Sequence, residues 1–407
     1  MKNKFLKDSF LLVISSAIAQ IVLIFSVPII SRIYSPEQFG IFTLFNYLAL
    51  IFIPVINARF DLLIINSKTT KKANAIAQIS IMISLIIIIF TILAGVVGSI
   101  VLKGYYLEII SFVLLLVFVS LTNIFTSYLN LNKKYFHISI INITRTLLMV
   151  IVQIAFGWLT HNSLGLILGF TLSYLAGIII GFKEFKKHFK LNKNIRYLKK
   201  VFKLHSNQLF YSPPSIIINS LTFSVTVFII GLMYSTKDVG IYGMATRILN
   251  VPIVVAGMGL SKIFMQKASE DYYKFNNFRP VLLKFSLGLF FLGLIAYGPL
   301  LLLKEEVVLL FLGRDWLEVT ILFIPFVTLY VTRLIVSTIS LANIVINKQH
   351  IDLIFQGGTL GLTIVSSLIS YILGLDFQSF VWLNSLTVTV SFITFYIYIF
   401  KKSKKAI

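Results

Sequence analysis

ANAIAQISIMISLIIIIFTILAGVVGSIVL, residues 73–102, holds no charged side chain between Lys72 and Lys103. A helix crosses the bilayer's hydrocarbon with about 20 apolar residues, and this stretch is longer than that. It does not read as a strand. Strands run only about 3–10 residues, and a lone strand in lipid leaves its backbone N–H and C=O groups unpaired. The apolar side chains also follow one another directly instead of alternating. The segment is therefore expected to be a transmembrane helix, and its neighbours read the same way.

Of the 407 residues, 58% are hydrophobic and 12% charged, and the mean hydropathy is +0.94. Soluble domains carry about 25% charged residues. With half that charge, too little polar surface remains to coat a globule in water. Twelve spans are predicted, near 9–31, 40–66, 73–102, 107–130, 138–160, 163–182, 208–234, 239–265, 281–303, 319–346, 351–373 and 377–400. The expected class is an all-α polytopic membrane protein of about twelve helices in two six-helix lobes. Lys2, Lys4 and Lys7 before an apolar run suggest a signal peptide. However, the run ahead of Ala17 is shorter than the roughly 7–15 residues such a peptide needs, and it continues to Ile30. It reads as an uncleaved first helix.

Orientation follows from lysine and arginine in short loops. With the N-terminus inside, the inner segments collect Lys68, Lys71, Lys72, Lys133, Lys134, the run from Lys183 to Lys203, Lys262, Lys267, Lys274, Arg279, Lys348 and Lys401–Lys405. The outer segments hold only Arg32, Lys103, Lys237, Lys304 and Arg314, among acids such as Glu37, Glu108, Asp238, Glu305, Glu306 and Asp376. Both termini are thus expected in the cytoplasm, in the inner (cytoplasmic) membrane. The formal charge of +22 reports topology, not nucleic-acid binding.

Residues 183–207 carry Phe185, Phe189, Ile195, Leu198 and Phe202 among lysines. They are expected to form an amphipathic helix on the inner leaflet. This basic linker divides the chain into an N-terminal lobe, 1–182, and a C-terminal lobe, 208–407. A short repeat supports the division. IYSPEQFGIF (33–42) is echoed by MYSTKDVGIY (233–242), with Tyr34-Ser35 and Gly40 matching Tyr234-Ser235 and Gly240. Both sit in the outer turn after the first helix of a half, as parallel duplication requires.

Cysteine is absent, which removes disulfides and thiolate chemistry. The five histidines (His137, His161, His188, His205 and His350) are scattered, so no metal site is expected. There is no Gly-rich phosphate loop with its lysine, no nucleophile elbow and no loop able to house a catalytic domain. Neither an enzyme nor an ATP motor is expected.

Charges within spans are candidate functional groups, since each costs roughly 2.5–3.5 kcal/mol at mid-membrane. Arg145, Arg247 and Arg333 lie inside spans five, eight and ten, and Arg32 and Arg59 nearer the surfaces. Structural ion pairs or snorkelling side chains would also account for them. Asp61 is an acid within span two. It could couple transport to H+ or Na+, or serve only as a salt-bridge partner. Arg59 and Asp61, two apart, do not share a helix face, so each needs another partner. The excess of cations argues for an anionic cargo, because a guanidinium matches phosphate with forked donors. Pro28, Pro54, Pro252, Pro299 and Pro325 mark candidate kinks.

Several motifs in order point further. SRIYSPEQFGIFTLF (31–45), ARFDLLIINS (58–67), NKKYFHISIINITRTLLMVIVQIAFG (132–157), VGIYGMATRILNVPIVVAGMGLSKIF (239–264) and KQHIDLIFQ (348–356) together resemble the Wzx-type polysaccharide flippases. These form the lipid-linked oligosaccharide branch of the multidrug/oligosaccharidyl-lipid/polysaccharide exporter superfamily. The resemblance implies a MATE-like exporter fold with two lobes around a cationic cavity. It implies a cargo of undecaprenyl-diphosphate-linked oligosaccharide, for O-antigen, capsule or another surface polymer, and work beside a polysaccharide polymerase and a chain-length regulator. Arg145, Arg247 and Arg333 would line the cavity, with Arg32 and Arg59. Asp61 stands where the family more often has Glu. A drug exporter on the same fold and a membrane polysaccharide polymerase are the rival readings. In-span carboxylates are scarce, which speaks against the first, and the lack of a large outer loop speaks against the second.

Overall fold

The computed structural model describes residues 2–101, 104–348 and 350–404, and not the side chains of 2–10, 100–101, 207, 211, 215 and 255–258. Lys103 and Lys405, which enter the charge asymmetry, lie outside the described residues, as do the side chains of Lys2, Lys4 and Lys7. Among the described residues there is no β-strand, only an isolated bridge between Asn277 and Lys404. The chain forms two compact units.

The first unit comprises Met1–Tyr34 and Ile41–Ser220. It contains α1 (Lys2–Ile33), most of α2 (Pro36–Phe52), α3 (Phe60–Ile65), α4 (Thr70–Val101), α5 (Tyr106–Leu131), α6 (Tyr135–Thr160), α7 (Leu164–Ser173), α8 (Leu175–His188), α9 (Ile195–Leu204) and the first half of α10 (Ser206–Met233). Here α1 packs on α6, α6 on α7 and α5 on α8.

The second unit comprises Ser35–Gly40 and Leu221–Ile407. It adds α11 (Thr236–Leu249), α12 (Val251–Phe275), α13 (Arg279–Leu302), α14 (Lys304–Phe311), a 3-10 stretch Arg314–Leu322, α15 (Phe323–Ile339), α16 (Ala342–Val345), α17 (His350–Ile372) and α18 (Phe377–Lys402). Helix α15 is its hub, packed against α12, α13 and α18.

Among the described residues, ten segments are long and apolar enough to cross a membrane. The expected spans near 40–66 and 239–265 are the two that differ, and both are broken. The first stops at Phe52 and restarts at Phe60. Pro54 sits in the gap, and Ala58 and Arg59 take left-handed φ angles of 46° and 64°, a conformation costly for residues with a Cβ. The second is interrupted at Asn250, between α11 and α12. Pro252 lacks the N–H that would bond back to Ile248, and beside it the Tyr297 hydroxyl donates to the Leu249 carbonyl at 2.8 Å. Pro325 lies in the first turn of α15, where proline is tolerated, so it ends no helix.

The outer stripe of α4 (Met82, Leu85, Ile86, Ile89, Phe90, Leu93 and Val97) is exposed. These residues recur at three- and four-residue steps on one helix face. Leaving such side chains in water forgoes roughly 1.5–3 kcal/mol apiece, and lipid removes that cost. The N-terminal part of α4 is instead buried: Ala73, Ile76, Ala77 and Ile79 pack with Phe60, Ile64, Ile124, Phe125 and Tyr128 in the core of the first unit.

The expected amphipathic helix over 183–207 is two pieces. Phe185 belongs to α8, which runs on to His188, whereas Ile195, Leu198 and Phe202 belong to α9. Between them the chain is extended at Phe189 because side chains from α4 capture its backbone. Asn74 Nδ2 donates to His188 O at 3.1 Å, and Asn192 N donates to Gln78 Oε1 at 3.0 Å. Helix α9 then packs along α4, and its Phe202 stacks on Phe60 of α3 at 6.1 Å.

The two echoed motifs are helix starts built alike. In the first, Ser35 N donates to Gln38 Oε1 and Gln38 N to Ser35 Oγ. In the second, Ser235 N donates to Asp238 Oδ2 and Asp238 N to Ser235 Oγ. Each is a reciprocal capping box that satisfies donors left free at a helix N-terminus. The preceding tyrosines also correspond. Tyr34 Oη donates to Gln153 O at 2.6 Å and Tyr234 Oη to Leu375 O at 2.9 Å.

Candidate functional site

Arg145 sits on α6 in the first unit, half-buried, its guanidinium carbon 4.0 Å from the Tyr174 ring centre. Tyr174 occupies the joint between α7 and α8, so the break in that span supplies the platform under the arginine.

In the second unit, Arg333 on α15 lies 4.4 Å from the Phe223 ring and 5.7 Å from that of Tyr330. Arg247, on the last turn of α11, lies 5.8 Å from the ring of Phe39. Phe39 meets Trp316 edge-on at 5.6 Å. A further aromatic run joins α11 to α15. Tyr242 meets Phe326 at 5.1 Å, Phe326 meets Tyr330 at 5.8 Å, and Tyr330 reaches Arg333.

Among the described residues, no carboxylate lies within 4 Å of Arg145, Arg247 or Arg333. Cation–π contact returns about 0.5–2 kcal/mol, against the roughly 2.5–3.5 kcal/mol cost of a charge at mid-membrane. The rings soften the cost of holding these charges without neutralising them. Each of these guanidiniums can, by itself, receive an anion.

Arg32 lies on α1 of the first unit. It is exposed, and its Nη1 donates to Pro28 O at 3.0 Å within α1. Arg59 lies in the left-handed turn before α3, with a buried Nε that meets no acceptor. Asp61 is buried in the first turn of α3, over the N–H groups of Asp61 and Leu62. Here the spacing argument needs correction. It assumed one continuous helix, but Arg59 lies outside the helix, and the turn brings its charge to bear on Asp61. The two still make no ion pair within 4 Å. Just ahead of them, Asn57 is held by α5: it donates to Ser120 Oγ at 2.9 Å and accepts from Asn123 Nδ2 at 3.2 Å.

The aromatic partners were not singled out from sequence. Tyr330 precedes Arg333 by three residues on one helix and so shares its face, a signal that could have been read. Tyr174, Phe223 and Phe39 come from other elements, and nothing local marks them.

This architecture is that of a multi-pass α-helical membrane protein. The structure is similar to that of the lipid II flippase MurJ in an inward closed conformation, with 18% identity over 97% of this chain and 90% of that one, at a TM-score of 0.73. It is similar to an inward-facing multidrug resistance MATE family transporter, with 14% identity over 95% and 93% and a TM-score of 0.63. A third likeness is to a MOP superfamily transporter from Pyrococcus furiosus, with 16% identity over 98% and 97% and a TM-score of 0.60. At these identities the likeness establishes the fold. No curated protein sequence matches the chain. The sequence of residues 11–321 matches the family described as polysaccharide biosynthesis protein, and the chain belongs to that family.

Proposed function

We propose that the protein is a Wzx-type flippase. It turns an undecaprenyl-diphosphate-linked oligosaccharide from the inner to the outer leaflet of the cytoplasmic membrane by alternating access, for O-antigen, capsule or another surface polysaccharide. It carries out transport and not catalysis. A polymerase and its chain-length regulator receive the product.

One observation carries this reading: Arg145, Arg247 and Arg333 stand over aromatic rings with no carboxylate within 4 Å among the described residues. Such charges are retained at a cost, and a diphosphate repays it through charge-assisted, two-pronged hydrogen bonds. Arg32 and Arg59 extend the cationic path toward the surfaces. Asp61, buried without an ion pair, is the proposed coupling site for H+ or Na+. Membership of a polysaccharide biosynthesis family supports the cargo class.

The test is replacement of Arg247 or Arg333 by alanine in cells, with surface polysaccharide and protein level measured together. Surface polymer is expected to fall at least about tenfold for the loss of one charge-assisted pair. Normal polymer at normal protein level would overturn the assignment. Gain of drug susceptibility with polymer unchanged would favour a small-molecule exporter.

A further inference from the structure

Beside the turn Asn132–Lys134, between the end of α5 and the start of α6, a cleft of about 470 Å³ opens against the last turns of α8. Four ammonium groups line it, those of Lys134, Lys183, Lys186 and Lys187, against a single carboxylate, Glu184. That carboxylate is already committed. Glu184 is 5% exposed, forms an ion pair with Lys134, and has its second oxygen 3.3 Å from His188 Nδ1. Lys183, Lys186 and Lys187 are exposed, and among the described residues none has an acidic partner within 4 Å. Like charges three and four apart on a helix repel, and an anion seated among them relieves that repulsion.

The rest of the cleft is apolar. Leu129 and Ile180 line it. One turn back on α8, Ile179 and Phe182 are exposed by 73% and 49%, in a segment apolar enough to cross the membrane. A cationic pocket thus adjoins a lipid-facing strip on the same helix. No guanidinium lines it, so it offers point charges and not the planar fork that suits a diphosphate.

We propose that this cleft binds the phosphodiester headgroup of an anionic glycerophospholipid, with the upper acyl carbons against Ile180 and Phe182. Basic pockets between transmembrane helices hold such headgroups by this combination of charge and apolar wall. The lysine distribution puts the cleft in the inner leaflet. The site does not depend on the cargo reading, because it would fill in a protein that transports nothing.

The experiment uses the full purified chain, stripped of lipid and returned to nanodiscs of phosphatidylglycerol or phosphatidylcholine. Native mass spectrometry then counts retained lipid. One phosphatidylglycerol is expected to persist under activation that removes phosphatidylcholine, in salt high enough to screen diffuse surface attraction. Combining K183Q, K186Q and K187Q is expected to lower its retention at least about tenfold. Combining K199Q, K200Q and K203Q on α9 is expected to leave it unchanged. Equal retention of the two lipids, or an equal loss in both triple variants, would overturn the proposal. So would displacement of phosphatidylglycerol by stoichiometric undecaprenyl diphosphate, which would reassign the cleft to a polyprenyl carrier. The parent chain supplies a readout free of variants: its melting temperature is expected to be higher in phosphatidylglycerol than in phosphatidylcholine.

Discussion

Arg333 holds its charge between two rings, Phe223 on α10 and Tyr330 on its own helix. If the cargo is a diphosphate, geometry matters as much as charge. Lysine keeps the charge but loses the planar fork. R333K is therefore expected to transport less than the parent and more than R333A, with about tenfold separating parent from lysine variant. Surface polysaccharide normalised to protein level measures this, and equal activity of parent and R333K would sink the forked-contact reading. A second residue governs pH response outside the spans. Burial first, and then the nearby Lys72, lower the pKa of His205 below its usual 6.5, and its Nε2 is buried without a partner. The folded chain therefore resists a proton that the unfolded chain accepts. Stability is expected to be constant above the unfolded pKa of about 6.5 and to decline as pH falls from there toward the folded value. Melting temperatures at pH 7.5 and 5.5 should show the decline, and H205Q should flatten it. The arginines stood out as candidates because a charge in an apolar run is visible on composition alone. Their ring partners did not, since Phe223 and Tyr174 are ordinary aromatics in apolar helices until tertiary packing brings a guanidinium over them.

Helix boundaries depend on interactions that hydropathy does not register. The span near 40–66 reads as continuously apolar, yet it breaks over Ile53–Arg59, where Asn57 spends its amide on Ser120 and Asn123 of α5. Those partners lie far along the chain, so no local pattern announces the break. Replacing Asn57 by alanine strands the buried Ser120 hydroxyl and the half-buried Asn123 amide, and is expected to cost about 1–3 kcal/mol, read as a drop in melting temperature in detergent. The capping boxes were legible as the Tyr-Ser and Gly echo, but its purpose was not. Gly40 and Gly240 pass so close that a Cβ on Gly40 would lie 1.9 Å from the Thr236 carbonyl oxygen, and one on Gly240 1.8 Å from that of Pro36. Both obstacles are backbone, which cannot swing aside as a side chain can. Alanine at either position is expected to destabilise the second unit by about 3 kcal/mol. Alanine at Gly298, which meets nothing nearby, is expected to be near neutral. Similar melting temperatures for all three variants would show that the crossing is not a tight constraint.

For the whole chain, the membrane character was legible at once, because 12% charge leaves an α4 stripe that only lipid can cover. Orientation is a different matter, since it rests on the side to which lysine and arginine are sorted. The sorting has a physical origin: basic loops are held back from translocation while acidic ones contribute little. On that rule segments such as Lys68–Lys72, Lys133–Lys134 and Lys401–Lys404 are proposed to lie inside, and the Arg314–Glu318 stretch, acidic on balance, outside. The absence of cysteine makes this testable without first removing native thiols. Lys133 and Arg314 are both exposed, one from each set. R314C is expected to react with a membrane-impermeant maleimide in intact cells, and K133C only after permeabilisation. The reverse pattern would invert the protein in the membrane, moving the lysine cleft of α8 to the opposite leaflet and reversing the direction of cargo transfer. Labelling of both sites in intact cells would mean that an odd number of passes does not separate them, and would break the twelve-span count between α6 and the 3-10 stretch after α14.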